Sequence, residues 1–196
     1  MKRLLDVLIS GIAIILLLPA WIIISVAIKI DNPGPIIFRQ KRIGRDKNGN
    51  KQYFNICKFR SMKVSAPSSV PTHLLKNPSH HITRMGLFLR KTSLDELPQI
   101  FNIFLGQMSI IGPRPALWNQ DDLYDERAKY KANAVRPGLT GLAQINGRDE
   151  LNIYKKAELD GDYAKQITFR MDLKCFVKTF AIVFKKVGIV EGKVDK

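Results

Sequence analysis

An uncharged apolar run near the start of the chain limits what the whole chain can fold into. It covers residues 7–28 and reads VLISGIAIILLLPAWIIISVAI. As a straight helix it would be roughly 30 Å long, about the thickness of the hydrocarbon layer of a bilayer. The run is longer than the apolar part of a typical secretory signal, and no small-residue cleavage site follows it. We therefore expect a retained membrane anchor.

A proline and the flanking charges suggest how this anchor sits in a membrane. Pro19 removes a backbone hydrogen bond and its ring clashes with the preceding turn, which predicts a bend. Basic residues flank both ends, Lys2 and Arg3 before the run and Lys29 after it. Because cytoplasmic flanks are enriched in Lys and Arg, both ends are expected on the same side, as in a re-entrant helix. A tilted single span with a tolerated proline is the alternative.

The positive charge of the chain is concentrated next to this anchor. The net charge is +15 over 196 residues, and residues 1–120 hold 17 basic and five acidic side chains. With 45% hydrophobic residues the chain is too apolar for a disordered basic tail. Such a charge predicts an anionic partner: nucleic acid, a phospholipid surface or a phosphorylated substrate. Nucleic acid is disfavoured, because the aromatic residues recur at core-like spacings rather than among the arginines.

After the anchor the sequence predicts an α+β domain with a small β-hairpin. Residues 47–50 read Lys-Asn-Gly-Asn between two apolar segments, the second of which covers residues 53–59. Further on, Ser93 and Glu96 have the spacing of a capping box, which predicts a helix start there. Pro98 would instead suit the first turn of a helix that starts later.

The end of the chain predicts an amphipathic helix. Several lysines fall on one helical face, and the opposite face is apolar. An ordinary core helix would look similar, but next to a membrane anchor the pattern favours a helix lying at the membrane interface. The residues of the apolar face are Leu173, Phe176, Val177, Phe180, Val183 and Phe184.

Five basic residues lie in motifs that suit phosphate binding. Lys58 and Arg60 are two apart in the predicted strand and are expected to share a face. Arg114 is held between two prolines, and Arg136 and Arg148 lie in glycine-rich segments. Arginines in rigid turns commonly bind phosphates through two hydrogen bonds. Taken singly, each could equally be a solvated surface charge.

A carboxylate pair, Asp95-Glu96, lies between these basic motifs. Two adjacent acids in a first helical turn can do no more than favour the helix dipole. If the arginines converge on them, however, the combination would suit phosphoryl transfer.

In this order, and behind a proline-broken anchor, the motifs resemble the small monotopic phosphoglycosyl transferases. These are the bacterial initiating sugar transferases of glycoprotein, capsule and exopolysaccharide synthesis, and the likeness is greatest to those of capsular polysaccharide synthesis. The resemblance covers nearly the whole chain. The matching elements are Asp6, Pro19, residues 34–35, Gln40 and residues 58–62, 90–99, 108–115, 136–141 and 144–148.

The resemblance implies transfer of a phospho-sugar from a UDP-sugar to polyprenol (undecaprenyl) phosphate, with release of UMP. Asp95 would be the nucleophile and would form a covalent aspartyl phospho-sugar in a ping-pong reaction. Glu96 would assist at the metal and the acceptor. Mg²⁺ is the implied cofactor, with Asp95 and Glu96 as its ligands. At a helix N-terminus Asp95 would stay ionised, as a nucleophile must.

The resemblance also implies roles for the surrounding charges. The expected contacts to the diphosphate come first from Arg114 and Arg148, then from Lys58, Arg60 and Arg136. Arg90 would be structural and would pair with Asp172, so that the re-entrant helix is locked in place. No motif identifies the sugar or an oligomeric partner.

We expect residues 1–30 to form the re-entrant membrane helix and residues 31–196 a catalytic domain on the membrane surface. The resemblance places this domain on the cytoplasmic face of the bacterial inner membrane, with downstream glycosyltransferases as candidate partners. Because the anchor begins the chain, the additional membrane domain of larger relatives is expected to be lacking. The alternative function is a membrane-anchored basic module that binds anionic lipid without catalysis.

Overall fold

Two helices that meet at a sharp bend form the N-terminal part of the molecule. The computed structural model describes residues 1–67, 77–147 and 150–185. Helices α1 (Lys2–Leu16) and α2 (Leu18–Asp31) meet at Leu17 with a bend of 62°. Pro19 lies in the first turn of α2, where a missing backbone N–H is tolerated. The bend predicted at Pro19 is therefore confirmed.

Neither of these helices is by itself long and apolar enough to cross a membrane, and the same holds for every other helix in the described ranges. Taken together, the bent pair passes the same test of length and composition. A broken span and a re-entrant loop both fit this geometry.

The predicted β-hairpin follows α2 and is confirmed. Strands β1 (Ile37–Ile43) and β2 (Tyr53–Phe59) pair antiparallel along their whole length. Asn48 and Gly49 have φ angles of 52° and 78°. A two-residue hairpin turn of type I′ needs positive φ at both of its central residues, and Asn-Gly is the sequence that adopts it most readily.

The remaining elements complete an α+β fold, as predicted. They are α3 (Arg84–Thr92), a 3-10 turn (Leu94–Glu96), α4 (Gln99–Phe104), β3 (Ser109–Ile111), α5 (Asp121–Ala128), β4 (Gly138–Thr140), α6 (Ile153–Lys165) and α7 (Phe169–Lys185), with further short 3-10 turns between them. Strands β3 and β4 are parallel neighbours and form a second two-stranded sheet.

A buried carboxylate fixes α1 to the centre of the fold. Asp6 accepts hydrogen bonds from the Ser109 hydroxyl at 2.8 Å and from the Ile110 backbone N–H at 3.0 Å. Burying a carboxylate is tolerated when its oxygens are hydrogen-bonded. The N-terminal helix is therefore tied through Asp6 to β3.

An amide side chain on α4 fixes the hairpin to the elements that carry the acidic pair. Asn102 accepts a hydrogen bond from the Cys57 backbone N–H at 2.9 Å and donates one to the Asn55 carbonyl at 2.8 Å. It thereby pairs with β2 much as a neighbouring strand would. This contact sets Lys58, the next residue of β2, opposite the turn Leu94–Glu96.

Helix α7 has the predicted amphipathic character. Met171 and Cys175 face the core, where they pack in a cluster with Ile111. Apolar side chains on the other side of α7, and on α1, α2 and α4, are exposed. They include Leu173, Phe176, Val177 and Phe180 of α7, Phe101 and Phe104 of α4, Ile12 and Ile15 of α1, and Ile22 and Ile23 of α2. The side chains of residues 183–185 lie outside the description.

Candidate active site

The acidic pair lies in a tight turn between two helices. Helix α3 ends at Thr92, and Ser93 takes a left-handed conformation with a φ of 56°. Its side chain makes no cap hydrogen bond, so the predicted capping box is wrong. The physical reason is that Ser93 closes α3 instead of opening a new helix. The alternative was right, because α4 starts later with Pro98 at its N-cap.

Glu96 is held by two cations from separate parts of the chain. Its Oε1 accepts from Lys58 Nζ at 2.8 Å and from Arg114 Nη2 at 3.0 Å. Lys58 comes from β2 and Arg114 from the loop after β3. The Glu96 side chain is 12% exposed, and that of Arg114 is 35% exposed. This cluster is therefore firmly paired and still open to solvent on the arginine side.

Asp95 differs from its neighbour because its carboxylate makes no hydrogen bond to any described residue. It is 8% exposed. Burial raises the pKa of Asp95, and the negative charge of Glu96 raises it further. Lys58, Arg90 and Arg114 act in the opposite direction and lower this pKa. Within the described residues, Asp95 is thus a poorly solvated carboxylate that lies near several cations and is hydrogen-bonded to none of them.

Burial also shifts the pKa of the cation that faces both acids. The pKa of Lys58 is lowered by burial, an effect opposed by the charges of Glu96 and Asp95. Two more cations, Arg114 and Arg42, lower it further by repulsion. Positive charge therefore accumulates around the acidic pair beyond what the two carboxylates offset.

Arg42 belongs to this cluster, although the sequence analysis did not single it out. Its guanidinium donates to the Pro115 carbonyl at 3.1 Å and to Gln40 Oε1 at 2.6 Å. Burial and the nearby charge of Arg114 lower the pKa of Arg42 to about 9. A signal was present: an arginine in a strand between Lys41 and the apolar Ile43. Strand alternation alone does not say what it faces.

A second buried arginine supports the loop that carries Arg114. Arg127 of α5 donates to the Arg114 carbonyl at 3.0 Å. It also donates twice to Asp160 Oδ2 of α6, at 2.8 Å and 2.6 Å. Burial raises the pKa of Asp160, and Arg127 opposes this shift. Sequence reasoning missed this pair, although Asp160 lies on the helix face of Ala157 and a charge there needs a partner.

The structure corrects the role predicted for Arg60. Strand β2 ends at Phe59, so Lys58 and Arg60 do not share a strand face. Arg60 is buried, and its guanidinium donates to the Pro33 carbonyl at 3.1 Å and to the Asn32 carbonyl. Gly34 lies against this guanidinium, which a Cβ at that position would overlap. Arg60 thus fixes the chain where it leaves α2 and is not directed at the acidic pair.

The expected pair between Arg90 and Asp172 is also corrected. Asp172 accepts from Lys2 Nζ at 2.6 Å and from the Tyr163 hydroxyl at 2.6 Å. Arg90 lies in the last turn of α3, where its charge lowers the pKa of Asp95. Asp172 does lock the N-terminal helix to α7, as expected of it, but its cation is Lys2 at the start of α1.

The last two predicted arginines have different outcomes. Arg148 lies outside the described residues. The backbone of Arg136 packs against Gly112, next to the Arg114 loop. Its side chain is influenced by Arg3, Arg45 and Asp6 instead of by the acidic pair. The structure therefore brings Asp95, Glu96, Lys58 and Arg114 together and places Arg136 in another group of charges.

The acidic pair can serve as ligand to a magnesium ion. No group of three or more His, Cys, Asp or Glu side chains gathers within residues 1–67, 77–147 and 150–185. Mg²⁺ that arrives with a diphosphate needs only one or two protein carboxylates, because phosphate and water oxygens fill the other positions. Adjacent oxygen ligands at Asp95 and Glu96 meet that requirement.

Comparison with known proteins gives one family, and the match includes every described residue of the site. The model of the family described as bacterial sugar transferase matches residues 1–186. Two UDP-glucose:undecaprenyl-phosphate glucose-1-phosphate transferases, of Klebsiella pneumoniae and Escherichia coli, are 40% and 38% identical over 94% of this chain. The exopolysaccharide production protein ExoY of Sinorhizobium fredii is 35% identical over 93% of this chain and 84% of its own length.

This chain covers different shares of the length of these relatives. This chain spans 39% and 40% of the length of the first two transferases, whereas it spans most of ExoY. The part that is shared includes the bent helix pair, the hairpin and the turn with the acidic pair. The chain therefore belongs to the bacterial sugar transferase family.

Proposed function

We propose that this protein transfers a phospho-sugar from a UDP-sugar to undecaprenyl phosphate, as the first membrane step of capsule, exopolysaccharide or glycoprotein glycan synthesis. Family membership and the activities by which the two transferases are named support the reaction class. The observation that carries the proposal is the contrast within the acidic pair. Glu96 is held by Lys58 and Arg114, whereas the carboxylate of Asp95 is left without a partner in the described chain.

In the first half-reaction an Asp95 oxygen attacks the β-phosphorus of the UDP-sugar. A bond forms between that oxygen and phosphorus, and the bond from phosphorus to the oxygen bridging to the α-phosphate breaks. UMP leaves with the electron pair, and the phospho-sugar stays on Asp95 as an acyl phosphate. The reaction requires ionised Asp95, which the charges of Lys58, Arg90 and Arg114 favour against the effect of burial.

In the second half-reaction a phosphate oxygen of undecaprenyl phosphate attacks the same phosphorus. The bond between phosphorus and the Asp95 oxygen breaks, and the carboxylate is regenerated. The product is undecaprenyl diphosphate sugar. Because donor and acceptor both present phosphates to one centre, a surplus of positive charge there favours both steps.

The cations around the pair have separate roles in this proposal. Arg114, the more exposed of the two cations on Glu96, contacts the diphosphate of the donor. Lys58 holds Glu96 in place and keeps the pKa of Asp95 down. Arg148 remains a proposed diphosphate contact from the family motif, whereas Arg136, which lies among Arg3, Arg45 and Asp6, is not assigned to the diphosphate. A Mg²⁺ ion held by Asp95 and Glu96 would offset part of the diphosphate charge.

The fold supports an attachment to the membrane surface. The lipid acceptor keeps its phosphate at the headgroup level, so the active site must lie at that level too. The bent pair α1 and α2 would enter one leaflet and return, with residues 31–196 on the cytoplasmic side. Exposed apolar side chains on α4 and α7 would lie at the same interface.

The test is UMP release by the full chain with undecaprenyl phosphate and Mg²⁺. UDP-glucose is the first donor to try, because it is the donor in the names of two relatives. Asp95→Asn should abolish release. Asp162→Asn, at an exposed carboxylate of α6, is the matched control and should behave as wild type. Equal release by Asp95→Asn would overturn the mechanism.

The covalent step has a separate readout. Without acceptor, wild type should release UMP in an amount equal to the enzyme, and mass spectrometry should find the phospho-sugar on Asp95. A wild-type protein that binds anionic vesicles but releases no UMP from any UDP-sugar would favour the lipid-binding module.

Tags at Met1 and Lys196 should both be cytoplasmic, whereas a single span would place them on opposite sides.

A further inference from the structure

A cavity lies at the turn end of the β-hairpin. It has a volume of about 500 Å³ and is lined by Arg45, Lys47, Tyr53, Gln107 and Arg136, among others. Lys58 of the acidic-pair cluster lies five residues beyond Tyr53 in β2. At roughly 3.3 Å per strand residue the two places are about 16 Å apart. The cavity is therefore not the space around Asp95.

Three guanidinium groups gather beside this cavity. Arg3 donates to the carbonyls of Ile103 and Phe104, at 2.6 Å and 2.8 Å, and also lies against Gly106 at the cavity wall. Arg45 donates to the Ala134 carbonyl at 2.8 Å. The guanidinium of Arg136 makes no hydrogen bond or ion pair with any described residue. None of the three is paired with a described carboxylate.

The electrostatic effect of this grouping is visible at Arg136. Its pKa is lowered by partial burial and by the like charges of Arg3 and Arg45. Asp6 opposes the shift from nearby, but its two oxygens are already bonded to Ser109 and Ile110. Asp6 therefore offsets part of the repulsion without forming an ion pair with Arg136.

One acidic residue lines the cavity itself. Asp46 Oδ2 accepts from the Tyr124 hydroxyl at 2.9 Å, and its Oδ1 is sealed from solvent without a partner. Neither oxygen forms a hydrogen bond or ion pair with a described cation. Like charges crowded around a cavity are stabilised by an anion with several acceptor oxygens, and arginines bind phosphate groups well in this way.

We propose that this cavity is a second anion site, where Arg45, Lys47 and Arg136 bind a phosphate ester. The position of Arg3 at the start of α1 brings the site close to the point where the chain would enter the membrane. The same chemistry is offered by the headgroup of an anionic phospholipid and by a free phosphate. The inference stands on the charges of the cavity and holds whether or not Asp95 is the nucleophile.

The test measures backbone amide hydrogen exchange of the full chain in detergent. The exchange rates with inorganic phosphate are compared with those in a chloride solution of equal ionic strength. At a phosphate concentration about ten times the Kd, local opening of residues 44–54 should slow about tenfold. Arg136→Gln should abolish this protection. The double variant Arg45→Gln/Lys47→Gln, which changes only exposed side chains, should abolish it too and guards against a folding defect in the first variant.

Two controls separate this site from its surroundings. Lys155→Gln removes an exposed cation of α6 and should keep full protection. Arg114→Gln weakens phosphate contacts at the acidic-pair cluster and should also keep it. Loss of protection in Arg114→Gln would mean that phosphate acts through the catalytic cluster, which would overturn the proposal.

A second arm identifies the source of the phosphate. The chain is compared in nanodiscs of phosphatidylcholine alone and of phosphatidylcholine with phosphatidylglycerol. Protection of residues 44–54 only with phosphatidylglycerol assigns the site to a lipid headgroup, and protection by inorganic phosphate assigns it to a free ligand. Absence of protection in both arms, or its persistence in both cavity variants, would overturn the proposal.

Discussion

Two of the clusters in the described residues pair a carboxylate with arginine, and they differ mainly in access to solvent. In the first, Glu96 meets Lys58 and Arg114, and the arginine is 35% exposed. In the second, Arg127 meets Asp160, with side chains that are 8% and 1% exposed. The second cluster also bonds the carbonyl of Arg114, so it supports the first. The same chemistry therefore holds the structure together where it is sealed and can meet a ligand where it is open.

The largest expected effect comes from breaking the sealed pair. Asp160→Asn leaves the charge of Arg127 buried without a counter-charge, and such losses destabilise proteins by about 3–5 kcal/mol. Unfolding in detergent should show this loss by heat or denaturant. Asp162→Asn, two residues along the same helix and exposed, should change stability very little. Unchanged stability in Asp160→Asn would show that the sealed cluster does not hold the structure together, contrary to the comparison above.

Breaking the open cluster should affect turnover more than stability. Glu96→Gln removes the charge that holds Lys58 and Arg114, and we expect UMP release to fall about 10²-fold because both cations lose their position. The unfolding midpoint should stay close to that of wild type. Glu158→Gln, whose partner Lys155 is exposed, is the control and should alter neither quantity. A Glu96→Gln protein that unfolds early instead would assign Glu96 a structural role.

Replacing both members of the sealed pair, Arg127 and Asp160, with apolar residues separates two effects of the pair. One is its support of the Arg114 loop, and the other is its contribution to stability. In Arg127→Met/Asp160→Leu no charge is left buried, so stability should stay near that of wild type. The Arg114 carbonyl nevertheless loses its donor, and kcat should fall about tenfold. Wild-type kcat in a stable double variant would mean that Arg127 does not position the Arg114 loop.

The smallest effect is a shift in pH dependence. Burial raises the pKa of Asp95 and Lys58 is the first of the charges that lower it, so removal of Lys58 raises that pKa further. Because the nucleophile must be ionised, kcat/KM falls as pH drops through this pKa. Lys58→Met should therefore move the acid limb to higher pH. The control Lys155→Gln should leave the acid limb of the kcat/KM profile at the wild-type pH. A shift of this limb to lower pH in Lys58→Met would contradict the conclusion that Lys58 lowers the pKa of Asp95.

Ionisation of Asp95 also affects the stability of the protein, and it does so in the direction opposite to its effect on activity. A folded-state pKa above the unfolded value means that the folded protein holds the proton more tightly. Stability therefore falls as pH rises through that window. Asp95→Asn should be more stable than wild type at neutral pH, and the gain should disappear in acid, as unfolding at two pH values would show.

The sequence predicted local features well because each depends on a few neighbouring residues. Asn48-Gly49 can adopt the positive φ angles of a tight hairpin turn, and Pro19 cannot continue a helix hydrogen-bond ladder. The predicted strand 53–59 matches β2. Motif order also brought the acidic pair together with Lys58 and Arg114, which the structure joins at Glu96.

The wrong predictions were of two kinds. Ser93 fitted a helix cap by spacing, but its left-handed backbone ends α3 instead. The partners of Arg60 and Asp172 depend on segments that are distant along the chain, such as the exit of α2 for Arg60 and Lys2 for Asp172. Spacing along the chain carries no information about which carbonyl or cation will face a long side chain.

By itself the sequence determined the bend in the apolar N-terminal segment, the hairpin, the amphipathic last helix and the identity of the acidic pair. These follow from backbone sterics and from the periodicity of apolar residues, which act over a few residues. Only the tertiary structure decided which carboxylate is held by cations and which has no hydrogen-bond partner among the residues that the structure describes. It also decided which arginines are sealed and which gather beside the cavity at the hairpin turn, because desolvation and charge pairing depend on distances in space.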